Sequence, residues 1–207
     1  MADRAQEEAL AAIVRRVDED RFLAARFAPR AMRDALTAIY ALNYEIARTA
    51  DAVSSETLGD IRLLWWREAV AEAHKGAPRA HPALHAYAAI APTPPMLTAW
   101  NDIIDARAAD LLPSPFASED DLHAYAINTA GALIRIALNA TGIDADVVAE
   151  KAGAAWAYAG LARALPFWRA RARNPQPADA RGQSEEDFRA APLAKPRAHY
   201  EETRTYA

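Results

Sequence analysis

The 207-residue chain has no cysteine, which excludes disulfides, thiolate metal sites and a cysteine nucleophile and suits a reducing compartment. Glycine is scarce, with seven residues, and these and the thirteen prolines sit mostly between helical stretches. No apolar run reaches the ~20 residues that a bilayer-crossing helix needs. No segment alternates apolar and polar residues with a period of two over a convincing length, so strands are not expected, and no motif recurs at fixed spacing. Surplus positive charge is also missing: the net charge is −4 and no face collects the basic residues that phosphate-backbone contacts require, which argues against nucleic acid as a partner. The first residues, Met1 to Val17, contain Asp3, Glu7 and Glu8 and read as neither a signal peptide nor a transit peptide.

What is present fits a helical domain. Apolar residues make up 52% and charged residues 25%, close to ordinary globular usage. Alanine is used heavily, which favours helix and close helix–helix approach. A chain of this length buries roughly 70% of the surface that its unfolded form exposes, enough for a core without metal or disulfide staples.

Helical spacing recurs along the chain. Glu7 to Val17 is a short amphipathic stretch, and Asp20 to Phe27 continues it with Phe22, Leu23 and Phe27 on one side. Pro29 stands where a first-turn proline would open a long helix carrying Met32, Leu36, Ile39, Tyr40 and Ile46. Ser55 is placed to cap the next helix, which runs to Gly76. A short helix surrounds Leu84 to Ile90, and Met96 to Leu112 follows, closed by Pro113 and Pro115. Ser118, with Asp121 three residues on, forms a capping-box pattern for a helix expected to end at Gly142, and Asp144 opens the last long one. Residues 1–173 therefore read as one helical domain. Residues 174–207 form a polar tail interrupted by proline, with a terminal helix expected from Arg197 to Tyr206.

Ordered blocks within roughly Asp20 to Arg171 carry a family resemblance. They are Arg21-Phe22; Pro29, Arg33, Leu36 and Ile39-Tyr40-Ala41; Arg62-x-x-Trp65; Ile103-Ile104-Asp105 with Ala109-Asp110-Leu111; Asp121-Leu122-x-x-Tyr125 through Gly131; and Gly153 to Arg171. In this order the blocks resemble squalene/phytoene synthases. That resemblance implies an all-α, isoprenoid-synthase-like bundle of about seven to eight helices, shortened at its C-terminal end. It also implies where chemistry would sit. In enzymes of the family, a DxxxD motif and a DxxED-type motif face each other across a cavity and hold diphosphates through magnesium. Such a pair places two carboxylates on one helix face, a turn apart, and the metal offsets the charge that builds on a departing diphosphate.

Laid against those motifs, this chain has Ala47 and Asp51 at the ends of the first. Arg163-Ala164-Leu165-Pro166-Phe167-Trp168 stands where Arg-Asp-x-x-Glu-Asp would. One acid of the set remains, so prenyl transfer by the family's mechanism is not expected. No cofactor is expected either, with magnesium returning only if the chain is an enzyme. Pro166 removes a backbone donor from its helix. Tyr40 to Ala47, Arg62 to Arg67 and Gly160 to Phe167 are similar to the motif-poor branch of the family that includes a mitochondrial assembly factor for respiratory complex I and its bacterial relatives. That similarity implies a helical scaffold that docks a protein partner, with complex I subunits as candidates, in the cytoplasm and peripheral to the inner membrane.

Three readings follow. The first is a non-catalytic scaffold or assembly factor. The second is a divergent prenyl-diphosphate transferase using Asp51, Asp102, Asp105 or Asp110. The third is an isoprenoid- or lipid-binding protein in which Arg48, Arg62 and Arg163, with Asp51, face the old diphosphate pocket, since arginine forks bind phosphate without metal. Each group also has a plainer reading. Arg48 lies one turn after Glu45; Asp102, Asp105 and Asp110, which could also be a replacement metal site, fit a solvated helix face near Arg107; and His81 and His85 fit polar surface better than a metal bracket. Trp65, Trp66, Trp100 and Trp156 fit a core, but one of the adjacent pair Trp65-Trp66 must point outward, where it is a candidate partner contact.

Overall fold

In the computed structural model, which describes residues 2–180, helix follows helix with no strand among them. The helices are α1 (Ala2–Val17), α2 (Glu19–Phe27), α3 (Arg30–Ala47), α4 (Glu56–His74), α5 (Pro82–Ala89), α6 (Pro94–Ala106), α7 (Glu119–Ala126), α8 (Ala132–Ala140) and α9 (Asp146–Ala170). The terminal helix expected from Arg197 to Tyr206 lies outside the described residues.

Local chemistry accounts for most of the boundaries. Asp18 caps α2 by accepting from the Arg21 backbone N–H, and Ser55 caps α4 by accepting from that of Leu58. Ser118 and Asp121 form the reciprocal box at α7: the Ser118 hydroxyl accepts from the Asp121 N–H, and the Asp121 carboxylate accepts from the Ser118 N–H. Pro29 sits one residue earlier than expected. It is the cap residue itself, extended at φ −50° and ψ 142°, and α3 begins at Arg30.

Two other departures shape the site. The helix expected to run unbroken from Met96 to Leu112 tightens after Ala106 into a 3₁₀ turn, Arg107–Leu111. The helix expected from Ser118 to Gly142 is broken by a π-helical turn, Ile127–Gly131, between α7 and α8. That turn packs directly on α9. A Cβ built on Gly153 would collide with the Gly131 backbone, so glycine at 153 is what lets the two helices meet backbone to backbone.

The main core gathers Ile39, Leu42 and Ile46 of α3, Trp66 and Val70 of α4, and Tyr87 of α5. It continues through Trp100 and Ile103 of α6 and Leu133 and Ile136 of α8, all at most 1% exposed. Each such side chain contributes about 1.5–3 kcal/mol through burial. A second cluster, Phe116, Leu122, Tyr125, Ala154 and Tyr158, ties α7 to α9. Trp66 is buried and Trp65 is 38% exposed, so the adjacent pair divides between core and surface as its spacing requires.

Candidate functional site

A cavity of about 290 Å³ opens between the C-terminal half of α3 and the long α9. Helical periodicity puts the facing residues there. From α3 and the 3₁₀ turn after it come Asn43, Ala47, Ala50 and Asp51. From α9 comes a stripe three or four residues apart: Trp156 and Ala157, Gly160 and Leu161, Ala164, then Phe167 and Trp168. The floor is Leu133 of α8 with Thr129 and Ala130 of the π turn. The residues aligned with the two acidic motifs, Ala47 and Asp51 on one side and Ala164, Phe167 and Trp168 on the other, thus meet across one space.

The cavity holds a polar cluster in which Asp110, one of the acids of the second reading, meets Arg107 and Tyr125, a grouping that the sequence did not mark. Asp110 is only 7% exposed, brought inside by the 3₁₀ turn. Its Oδ1 accepts from the Tyr125 hydroxyl at 2.7 Å and its Oδ2 accepts from Arg107 Nη1 at 3.0 Å, while that same Nη1 donates to the Tyr125 oxygen at 2.7 Å. Burial pushes the Tyr125 phenol well above its ordinary range, so the hydroxyl stays protonated and donates. Arg107 Nε is buried without a hydrogen-bond partner among the described residues. Arg21, Arg171 and Arg173 also line the space. Arg21 pairs with Asp18 at 2.6 Å and lies over the Trp156 ring. Arg171 stacks 3.6 Å from the Phe167 ring centroid, with its Nε 3.8 Å from Asp51. Arg173 reaches the Ala50 carbonyl at 3.4 Å.

Of the residues expected at a phosphate site, Asp51 lines this cavity, and Arg48 and Arg163 do not. Arg48 is 3.6 Å from Glu45, the one-turn partner, and its side chain is 48% exposed. Arg163 bonds Asp20 at 3.0 Å with its side chain 65% exposed. Arg62 lies in a second, more open depression of about 730 Å³ beside the cavity, with Asp51, Val53, Leu58, Ile61 and Trp65. The acidic residues of α6 and of the 3₁₀ turn after it scatter: Asp102 lies 3.9 Å from Arg135, Asp105 pairs with Arg67, and Asp110 alone of the three faces the cavity. His81 caps α5, its Nδ1 accepting from the Ala83 N–H at 3.2 Å.

This donor set does not fit magnesium. The ion asks for oxygens in near-octahedral array from carboxylates, phosphate and water. The cavity offers Asp51 and an Asp110 whose two oxygens are already taken by Tyr125 and Arg107, among four guanidiniums. Among the described residues, no three His, Asp or Glu side chains gather at metal-binding distance.

The fold and the placement of the cavity define an all-α bundle of the isoprenoid-synthase kind. Its profile match is to the squalene/phytoene synthase family over residues 14–205, and the chain belongs to that family. Two solved structures share the fold: a squalene synthase, HpnC, from Alicyclobacillus acidocaldarius (TM-score 0.78, 19% identity, 99% of this chain and 84% of that one) and a dehydrosqualene synthase in complex with ligand (TM-score 0.75, 14% identity, 98% and 77%). By sequence the chain is similar to NADH dehydrogenase (ubiquinone) complex I, assembly factor 6. Identity is 29% over 183 residues with the Mus musculus protein and 28% over 184 with that of Homo sapiens. These alignments cover 85% of this chain and 55% of each relative, so the chain spans about half the length of the relatives it matches. Among the described residues no helix is long and apolar enough to cross a membrane.

Proposed function

We propose that this protein is a non-catalytic member of its family, a helical scaffold that acts in the assembly of respiratory complex I through contact with a protein partner in the cytoplasm, beside the inner membrane. The observation that carries the reading is the makeup of the cavity where the two motif helices meet. Alanines and aromatics occupy the motif positions, and the one acid that remains there, Asp51, lies 3.8 Å from Arg171. Ionising an allylic diphosphate calls for metal held by carboxylates from both sides, and the α9 side contributes none to the cavity. The alignment with the complex I assembly factor over most of the chain supports the assembly role.

The test is deletion of the gene in its own host. The expected outcome is loss of assembled complex I with an unchanged isoprenoid profile; an altered isoprenoid profile with intact complex I refutes the proposal. The purified protein is also expected to show no turnover of a polyprenyl diphosphate with magnesium present. Turnover abolished by EDTA would establish the transferase reading instead. A ligand-binding role for the same scaffold has its own support, because the cavity is open and mixed in character rather than filled by side chains.

A further inference from the structure

Helix α4 is apolar on two sides. One side, with Gly59, Leu63, Trp66, Val70 and Ala73, is buried in the bundle. The other carries Leu58, Ile61, Leu64 and Trp65, which are 49%, 59%, 56% and 38% exposed. At about 100° per residue these four fall within an arc of roughly 120°, as wide as the stripe that an amphipathic helix turns toward a core. A helix that is apolar all round is ordinarily covered all round, and among the described residues this second side stays open. Leu58, Ile61 and Trp65 line, with Val53 and Arg62, the depression of about 730 Å³ beside the cavity. Trp65 is held in place there. Its ring meets the buried Trp66 edge-on at 4.8 Å, and the Arg79 guanidinium lies 5.2 Å from its centroid while bonded to Glu68 and Glu72. A ring already immobilised loses little freedom when something packs against it.

Charge decides what fits this side. α4 carries four acids, Glu56, Asp60, Glu68 and Glu72, against Arg62 and Arg67, a net charge of −2 (two minus four). Arg79 engages Glu68 and Glu72, and Asp105 engages Arg67. Glu56 and Asp60, both exposed near the start of the helix, make no ion pair among the described residues. That charge opposes both an anionic bilayer and a second copy of the same face. We infer that the outward side of α4 docks an amphipathic helix of a partner protein, with apolar anchors at i, i+3, i+4 and i+7 and with Lys or Arg beside them to meet Glu56 and Asp60. The inference rests on the proposed assembly role and deepens it by giving the chemistry of the partner. Leu58 to Trp65 rise about 10 Å along the axis, so two turns of a partner helix cover the stripe. Arg62 stands on the other edge of the stripe from Glu56 and Asp60, where it offers a donor to a partner carbonyl or carboxylate.

The experiment titrates the full chain into two fluorescent helical peptides of about five turns. Both have leucine at the anchor spacing; the remaining positions are lysine in one and glutamate in the other. Saturable binding of the lysine peptide is expected by anisotropy, with the glutamate peptide about tenfold weaker or more. I61S/W65S should weaken the lysine peptide by about tenfold or more. L23S/F27S, which removes two exposed apolar side chains from α2 instead, should leave it unchanged. E56K/D60K should narrow or reverse the preference between the peptides. Absence of saturable binding overturns the inference, as does equal binding of the two peptides or binding that I61S/W65S leaves intact. Two further readouts cover the other occupants. A dimer in sedimentation velocity that I61S/W65S dissociates assigns the face to a second copy. Flotation with vesicles of phosphatidylcholine and phosphatidylglycerol that I61S/W65S abolishes assigns it to a bilayer. Either result overturns the docking of a partner helix. Because complex I plays no part in these measurements, their failure leaves the assembly role standing, and failure of the deletion test leaves the docking face standing.

Discussion

The Tyr125 hydroxyl accepts from one charged group and donates to another, both at 2.7 Å, and so holds Arg107 and Asp110 in one buried unit. Tyr125→Phe removes both bonds and leaves an Asp110 oxygen without its donor. The expected cost is about 2 kcal/mol, since hydrogen bonds to charged groups contribute about 1.5–3. It should appear as a lower urea midpoint with an unchanged slope. His81 gives a pH-dependent expectation. Its Nδ1 caps α5 only while unprotonated, and burial lowers its pKa below the ordinary histidine value despite Glu45 4.0 Å away. Arg62 and His85 add to the lowering. The unfolded chain therefore takes up the proton first as pH falls. The cap's contribution is complete above about pH 6.5, the usual histidine value, and is lost as pH drops through the lower folded value. Melting temperature should fall by about 2–4 °C across that window for a cap worth ~1 kcal/mol, and His81→Asn, a cap that does not titrate, should flatten the slope. At this scale the sequence was partly legible. Glu45 one turn before Arg48 foretold their pairing. The three-residue spacing of Arg107 and Asp110 was visible too, but spacing alone does not say whether a helix face is solvated or buried, and here the 3₁₀ turn buries it.

Gly131 and Gly153 decide how closely the π turn and α9 approach. Gly153→Ala would force the helices apart, at or above the about 1–3 kcal/mol typical of overpacking. Gly160→Ala, on the same helix with open space at its Cβ, should be neutral or stabilise by up to about 1 kcal/mol. Thermal melts of the two variants side by side check this, and equal destabilisation would refute the close approach. Elements whose ends are written in local side-chain chemistry were readable in advance: Ser55, and the Ser118–Asp121 box, sit where their spacing put them. The π turn was not readable, because a slip in backbone hydrogen bonding leaves the apolar pattern of residues 119–140 nearly unchanged. Its consequence is functional. It carries Thr129 and Ala130 to the cavity floor, and Thr129 bonds back to the Tyr125 carbonyl at 2.7 Å.

For the molecule as a whole, the all-α bundle was legible because every long apolar pattern has the helical period. The arginine-lined interior was not, because Arg21, Arg107 and the Arg171–Arg173 pair come from three separate places in the chain and only packing assembles them. The outer surface carries the remaining expectation. Leu58, Ile61, Leu64 and Trp65 are 49%, 59%, 56% and 38% exposed, four large apolar side chains on α4. Arg79 fixes the Trp65 ring from above, its guanidinium 5.2 Å from the centroid and bonded to Glu68 and Glu72. An immobilised, outward tryptophan among exposed aliphatics has the character of an interface anchor, with little side-chain entropy left to lose on binding. If the assembly role runs through this helix, I61S/W65S should fold like the wild type, because surface substitutions usually change stability by no more than about 0.5 kcal/mol, yet fail to restore complex I in a deletion strain. Trp66→Ala provides the contrast. That ring is 1% exposed in the main core, and its loss should cost about 3–5 kcal/mol and lower the amount of folded protein. A strain in which I61S/W65S restores complex I in full would remove α4 as the contact and return the search to the cavity mouth, where Asp51 joins the two depressions.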